Sequence, residues 1–226
     1  AEASDGSHVA MCEVIVGTAF GDNLIYAVIT GSSTALTTLV IGGSGDMPAN
    51  VGIENYPWYK DRGSIKNIRI TEGVTSVGNF AFTGCKADYV TLPESLTKIG
   101  RRAFYDCQNH SLTIGKNLTE IGDDAFGSEL GYVSVAEENS AFSSDQDGVL
   151  FNKDQTKLIL YPSQNQNAVY YIPEGVTTIG SYAFKKCAYL CDVIAPQSLA
   201  VIESNAFTEC TYHCDLFLPK GLTTVA

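Results

Sequence analysis

The sequence predicts a solenoid of stacked rungs. It should consist mostly of short parallel β-strands joined by turns and short helical segments, with a small β-rich segment in front. Three observations carry this reading. An Ala-Phe pair recurs five times in one register, an apolar-x-apolar pair recurs ahead of it, and Pro and Gly punctuate the interval between them.

The Ala-Phe pairs are Ala81-Phe82, Ala103-Phe104, Ala125-Phe126, Ala183-Phe184 and Ala206-Phe207, with Phe-to-Phe steps of 22, 22, 58 and 23 residues. Five residues before each Phe stands Val77, Ile99, Ile121, Ile179 or Ile202. Three residues earlier again stands Val74, Leu96, Leu118, Val176 or Leu199. Leu222 and Val225 begin a sixth copy. Ahead of these come Ile68 and Ile70, Val90 and Leu92, Leu112 and Ile114, Val133 and Val135, Tyr170 and Ile172, Val193 and Ala195, and Leu216 and Leu218. Side chains alternate faces along a strand, so each pair marks a short strand with one buried face.

Pro93, Pro173, Pro196 and Pro219 follow the strand and end its pairing, because Pro lacks the N–H a ladder needs. Gly78, Gly100, Gly122 and Gly180 mark the next bend, where a backbone conformation costly for other residues is expected. A rung of 22 or 23 residues cannot bury its apolar side chains alone, but stacked rungs can. The repeated apolar letters are therefore the inside of the array, and the five Phe form a core column rather than a stacking platform for bases or sugars.

The first 66 residues read as a capping segment that covers the open end of the array. "LIYAVI" and "LTTLVIGG" are strand-like runs around the small-residue turn "TGSSTA", and "ENYPWYKDR" supplies aromatic cover. Residues 67–226 form the repeats, with an irregular rung at about 136–168. There "GVLF" and "KLILY" flank "NKDQT" as a β-hairpin that contributes extra rungs to one continuous array.

"LPESLTKIGRRAFYDC" and "IPEGVTTIGSYAFKKC" resemble the BspA-type leucine-rich repeat, a variant found in surface proteins of bacterial commensals and some protists. The likeness covers about residues 67 to 226. The preceding β-rich segment and "DGVLFNKDQTKLILYP" resemble the segment that precedes such arrays and the irregular rung that interrupts them. "GTAFG" lacks the Cys usual there, Glu129 stands in the cysteine column, and His110 and His213 replace a Leu, so those rungs should pack less regularly. The resemblance implies a leucine-rich repeat solenoid acting as a non-catalytic, cell-surface or secreted protein that binds a protein or extracellular-matrix ligand. The alternatives are a glycan-binding module and a structural spacer within a larger surface protein.

Charge and composition narrow the function classes. The formal net charge is −11, with 14 Lys and Arg scattered among 25 Asp and Glu, so no basic field exists for a phosphate backbone and nucleic acid is excluded as a partner. No apolar run approaches the roughly 20 residues of a membrane span, so no membrane insertion is expected. The chain opens without an initiator Met or a signal-type apolar core, as a processed or trimmed chain would; a processed one was exported. It stops at "LPKGLTTVA", before the Gly and Ala-Phe of a sixth rung, which predicts a longer protein or an end covered by a partner chain.

No motif supports catalysis, so no enzyme and no cofactor is expected. His8, His110 and His213 belong to no nucleophile elbow or zinc-binding helix. The carboxylate pairs Asp123-Asp124 and Glu137-Glu138 read as solvated surface. "GGSGDM" reads as a turn rather than a phosphate loop. "SSDQDG" carries Asp145, Asp147 and Gly148 at calcium-loop spacing, but Ser143 and Asp154 replace two required ligands, so it also reads as a turn. Asn109 and Asn117 fit the glycosylation pattern, which matters only for a eukaryotic source.

Of seven cysteines, Cys85, Cys107, Cys187 and Cys210 share one column and read as a buried ladder of small apolar thiols. Cys191 and Cys214 form a second register, close enough on adjacent rungs for a disulfide in an oxidising compartment. A zinc site from Cys187, Cys191, Cys210 and His213 is disfavoured because parallel columns do not converge tetrahedrally.

The outward residues of each strand form a lateral face. From it Tyr89, Thr91, Tyr132, Ser134, Tyr171, Ile194, Asp215 and Phe217 are the candidate binding residues, polar at the first rungs and apolar and acidic at the last. The competing reading is that another rung or the irregular segment covers them. Tyr89, Tyr132 and Tyr171 are the residues that would serve a glycan.

Overall fold

The apolar-x-apolar pairs lie on short parallel strands. The computed structural model of the chain describes residues 13–16, 20, 23–30, 37–210 and 215–226. One column of strands comprises Ile65–Ile70, Tyr89–Thr91, Ser111–Ile114, Tyr132–Val135, Val169–Tyr171, Asp192–Ile194 and Asp215–Phe217. Burial alternates along them: Leu112 and Ile114 point inward while Ser111 and Thr113 are exposed. Register runs one rung at a time, with Ile68 beside Val90 and Tyr170 beside Val193 beside Leu216.

A second column comprises Val74–Val77, Lys98–Ile99, Glu120–Ile121, Thr178–Ile179, Val201–Ile202 and Thr224–Val225. Its threonines repeat one contact: Oγ1 of Thr97, Thr119, Thr177 and Thr223 each donates to a backbone carbonyl one rung back. At the N-terminal end Glu13–Val16, Leu24–Thr30 and Thr37–Gly43 pair antiparallel, and Thr37–Gly43 then pairs parallel with Ile65–Ile70. Thr37–Gly43 thereby joins the antiparallel strands to the parallel solenoid sheet.

The Ala-Phe corners correct the expected short helical segments. Among the described residues the one helical element is a 3-10 turn at Ile53–Asn55. The corners are runs of tight turns, and in the first of them alternate N–H groups donate to the next rung: Phe80 to Arg101 O, Phe82 to Ala103 O and Gly84 to Tyr105 O. A helix would consume those groups internally and leave the neighbouring rung unpaired. Left-handed residues at Phe80, Arg102, Asp124, Tyr182 and Asn205 also interrupt any helical run.

The bend glycines are required for a different reason from the one expected. Gly100 and Gly122 do not have positive φ; a Cβ at Gly100 would fall 2.7 Å from Asn79 N, and one at Gly122 2.5 Å from Arg101 N. Close rung-to-rung approach, rather than backbone conformation, excludes a side chain there.

The aromatic column is longer than the Phe pattern. Tyr56, Trp58, Phe82, Phe104 and Phe126 stack in order with centroids 5.2, 5.4, 5.2 and 6.4 Å apart, and Trp58 Nε1 donates to Ala81 O at 2.7 Å. A second stack, Tyr161, Phe184 and Phe207, has spacings of 5.2 and 4.9 Å. Tyr161 N donates to Ala183 O at 2.7 Å, as Phe104 N does to Ala125 O, so Tyr161 holds the Phe position of the irregular rung.

That rung is built from the expected hairpin. Phe142–Ser144, Leu150–Asn152 and Lys157–Leu160 pair antiparallel, and the last pairs parallel with Thr178–Ile179. Its entry is tied by buried Asn139, whose Nδ2 donates to Gly115 O and Leu118 O and whose Oδ1 accepts from the Ala141 and Phe142 N–H groups. The sheet ladder is broken between Glu120–Ile121 and Lys157–Leu160, and the buried side chains fall into two clusters on either side.

Candidate binding face

The lateral strand face carries all eight sequence-predicted residues, but the fold divides them. Tyr171, Ile194 and Phe217 stand in register on three neighbouring strands, and Asp215 aligns with Asp192 and Val169 beside them. Tyr171 is 70% exposed and Phe217 55%, while Ile194 between them is half-buried. Tyr89, 67% exposed, pairs instead with Asn67 at the other end of the array, and Thr91 pairs with Arg69. Tyr132 and Ser134 lie opposite Ser111 and Thr113, and Ser134 Oγ is 3.0 Å from Thr113 Oγ1.

The irregular segment partly covers this middle pair. A Cβ on Gly148, which has φ of 74°, would fall 2.5 Å from Tyr132 Cδ2, so the hairpin loop lies directly on the Tyr132 ring. Two members of the inward columns, Leu218 and Val225, are exposed because no described rung stacks on them.

The calcium-like loop is a hydrogen-bonded turn. Asp145 Oδ1 accepts from the N–H groups of Asp147 and Val149 at 3.0 and 2.9 Å, and Oδ2 accepts from Tyr170 OH at 2.8 Å. Burial, followed by this carboxylate, raises the Tyr170 phenol far above its ordinary value. Among the described residues no group of three or more His, Cys, Asp or Glu could hold a metal ion. Asn109 is fully buried, so its glycosylation pattern lies out of reach, while Asn117 is exposed and donates to Glu94 O.

The cysteine ladder is real for Cys85, Cys107 and Cys187, which are buried; Cys210 is half-buried and Cys191 exposed. Burial pushes the Cys85 thiol up to about 12 and Cys107 well above its ordinary value. Cys210 moves the other way, down to about 7, chiefly through a hydrogen bond from Cys187. His8, His213 and Cys214 lie outside the described residues, and with them the histidine of the disfavoured zinc set and one partner of the Cys191–Cys214 pairing.

One carboxylate pair departs from solvated surface. The Asp123 side of the pair is exposed, but the Asp124 side chain is only 4% exposed and binds Lys185 Nζ through both oxygens at 3.0 and 2.9 Å, with Arg102 Nε at 3.1 Å. Sequence reasoning missed Asp124 and Lys185 because the pair spans the hairpin and no local spacing connects them.

The family model of the BspA type leucine rich repeat region matches six copies over residues 52–168 and 160–226. The chain belongs to the BspA-type leucine-rich repeat family. Among solved structures, this BspA-type array is similar to a leucine-rich cell surface protein from Faecalibacterium prausnitzii, at 22% identity and TM-score 0.61 over 91% of this chain and 76% of that one. It is also similar to the pneumococcal vaccine antigen PcpA, at 23% identity and TM-score 0.55 over 93% and 71%. A leucine-rich repeat protein from Eubacterium ventriosum shares 23% identity and TM-score 0.52 over 92% and 73%. At these identities the likeness is one of fold. No curated protein matches the chain.

Proposed function

We propose that this BspA-type array is a non-catalytic module of an extracellular or cell-surface protein, in which residues 1–66 cap the repeats of 67–226. It binds a protein or extracellular-matrix ligand through its lateral strand face. The observation that carries the reading is the in-register trio Tyr171, Ile194 and Phe217, two exposed aromatics and a half-buried aliphatic on adjacent parallel strands. These side chains fill no core, and exposed aromatic neighbours of this kind are typical of interface anchors. Asp215 and Asp192 beside them add an acidic rim, which suits a partner that presents basic groups around an apolar centre. Surface descriptions of similar folds, such as the Faecalibacterium protein, support the location.

The glycan reading has less support on this face. Tyr89 and Tyr132 lie on strands separated by Ser111–Ile114, and Tyr171 belongs to a different sheet, so the three rings form no cluster. The test is binding of immobilised protein to purified matrix components, compared with Tyr171→Ser/Phe217→Ser and with Tyr89→Ser. Loss of binding in the double variant at unchanged melting temperature is expected. Retention of binding there, or loss only in Tyr89→Ser, would overturn the assignment to this end of the face.

A further inference from the structure

A rung that turns its corner early leaves space where the corner should have packed. In the regular rungs five residues lead from the second-column Ile to the stacked Phe, as from Ile179 to Phe184, and a Gly-x-x-Ala turn fills the side of the molecule. In the hairpin rung Leu158 pairs with Ile179 and Tyr161 N bonds Ala183 O, so three residues cover the same step. The missing turn leaves a cleft of about 450 Å³ between residues 122–126 on one side and 180–182 on the other. That volume falls within the roughly 300–1,000 Å³ of small-molecule sites.

The floor of the cleft is apolar, made by Phe126, Phe142 and Leu160. Its walls are charged, and apart from exposed Asp123 their ionised side chains are paired. Lys185 and Arg102 hold Asp124 as described above. Lys157 Nζ is 2.6 Å from Glu203 Oε1, and the Ser181 N–H and Oγ donate to Glu203 Oε2 at 3.0 and 3.2 Å. Tyr105 and Tyr182 line the opening, with Lys185 Nζ 4.3 and 5.4 Å from their ring centroids. Ammonium groups already paired with carboxylates offer little to a free anion, and the carboxylates offer little to a free cation. A hydroxyl can still accept from the one and donate to the other, because each charged group keeps spare hydrogen-bonding capacity.

We propose that this cleft binds a neutral sugar, set on the apolar floor through its C–H face with its hydroxyls on the Asp124–Lys185 and Glu203–Lys157 pairs. The space equals about 15 water volumes at ~30 Å³ each, room for about one or two pyranose rings. None of the strand-face residues lines it, so the site stands independently of the proposed protein-binding face.

The test is saturation-transfer NMR and calorimetry with glucose, galactose, mannose, N-acetylglucosamine and their β-linked disaccharides at up to about 10 mM. At least one is expected to bind. Ile159→Trp, which fills the cleft from its wall, should abolish that signal. Tyr182→Asn removes a ring at the opening while keeping a residue type tolerant of φ 60°, and should weaken binding about tenfold. Tyr171→Ser/Phe217→Ser should leave affinity within about twofold. Absence of binding by every neutral sugar, binding of inorganic phosphate or acetate alone, or sugar binding undiminished in folded Ile159→Trp overturns the proposal. If Ile159→Trp does not fold, undiminished binding by Tyr182→Asn overturns it instead.

Discussion

Lys185 Nζ lies 2.9 Å from Asp124 Oδ2 although 61 residues separate them, and the pair fastens the last regular rung before the hairpin to the first one after it. Both side chains are withdrawn from water, at 10% and 4% exposure. Removing one partner from a buried pair strands the other charge, which costs more than the pair itself contributes. Lys185→Met should therefore lower stability by about 3 kcal/mol, and Lys185→Met/Asp124→Asn should recover part of that loss. Urea unfolding of the three proteins checks this; an unchanged midpoint for Lys185→Met would show that the pair is solvated.

Phe104 stands between Phe82 and Phe126 with its ring fully buried. Phe104→Ala removes the middle of a stack whose neighbours are fixed by their own rung ladders and cannot close the gap. A loss of about 3–5 kcal/mol is expected in thermal or urea unfolding. A loss under about 1 kcal/mol would contradict a packed column.

Gly100→Ala and Gly63→Ala separate close packing from general helix or strand propensity. The first places a methyl 2.7–2.8 Å from the backbone of Asn79 and Gly78, whereas the second meets nothing within 4 Å. Gly100→Ala should cost about 1–3 kcal/mol as an overpacked contact. Gly63→Ala should stay within about 0.5 kcal/mol of the parent. Equal effects on the two melting temperatures would remove the rung-approach explanation.

Native-state alkylation should distinguish the described cysteines. Thiolate is the reactive form, so a thiol lowered to about 7 gains reactivity as pH rises from 6 to 8, whereas thiols raised by burial stay protonated and covered. Cys210 is expected to label over that range, with exposed Cys191 labelling as well, while Cys85 and Cys107 label only on unfolding. Mass spectrometry of peptides alkylated at pH 6, 7 and 8 reads this directly. Labelling of Cys85 as fast as Cys210 would refute the ladder geometry.

Periodicity alone determined the rungs, their strand faces and the Phe and Cys columns, because each rung's core side chains must recur at the rung length to stack on their neighbours, while the hairpin at 150–160 was legible as two strand-like runs around a polar turn. Register to the next rung was implicit in the same repeat. The turn corners were less legible: their Gly-x-x-Ala-Phe letters fit a helical turn as well as a run of β-turns, and only the hydrogen bonds from Phe80, Phe82 and Gly84 to the next rung select the second. Tyr161 escaped the pattern because its rung is two residues short between the Leu158 and Tyr161 positions. The cleft created by that shortening, and the Asp124–Lys185 pair that crosses it, exist only in the tertiary structure. They depend on bringing together chain segments about 60 residues apart across an interruption, and a repeat template carries no information about a contact made where the repeat fails.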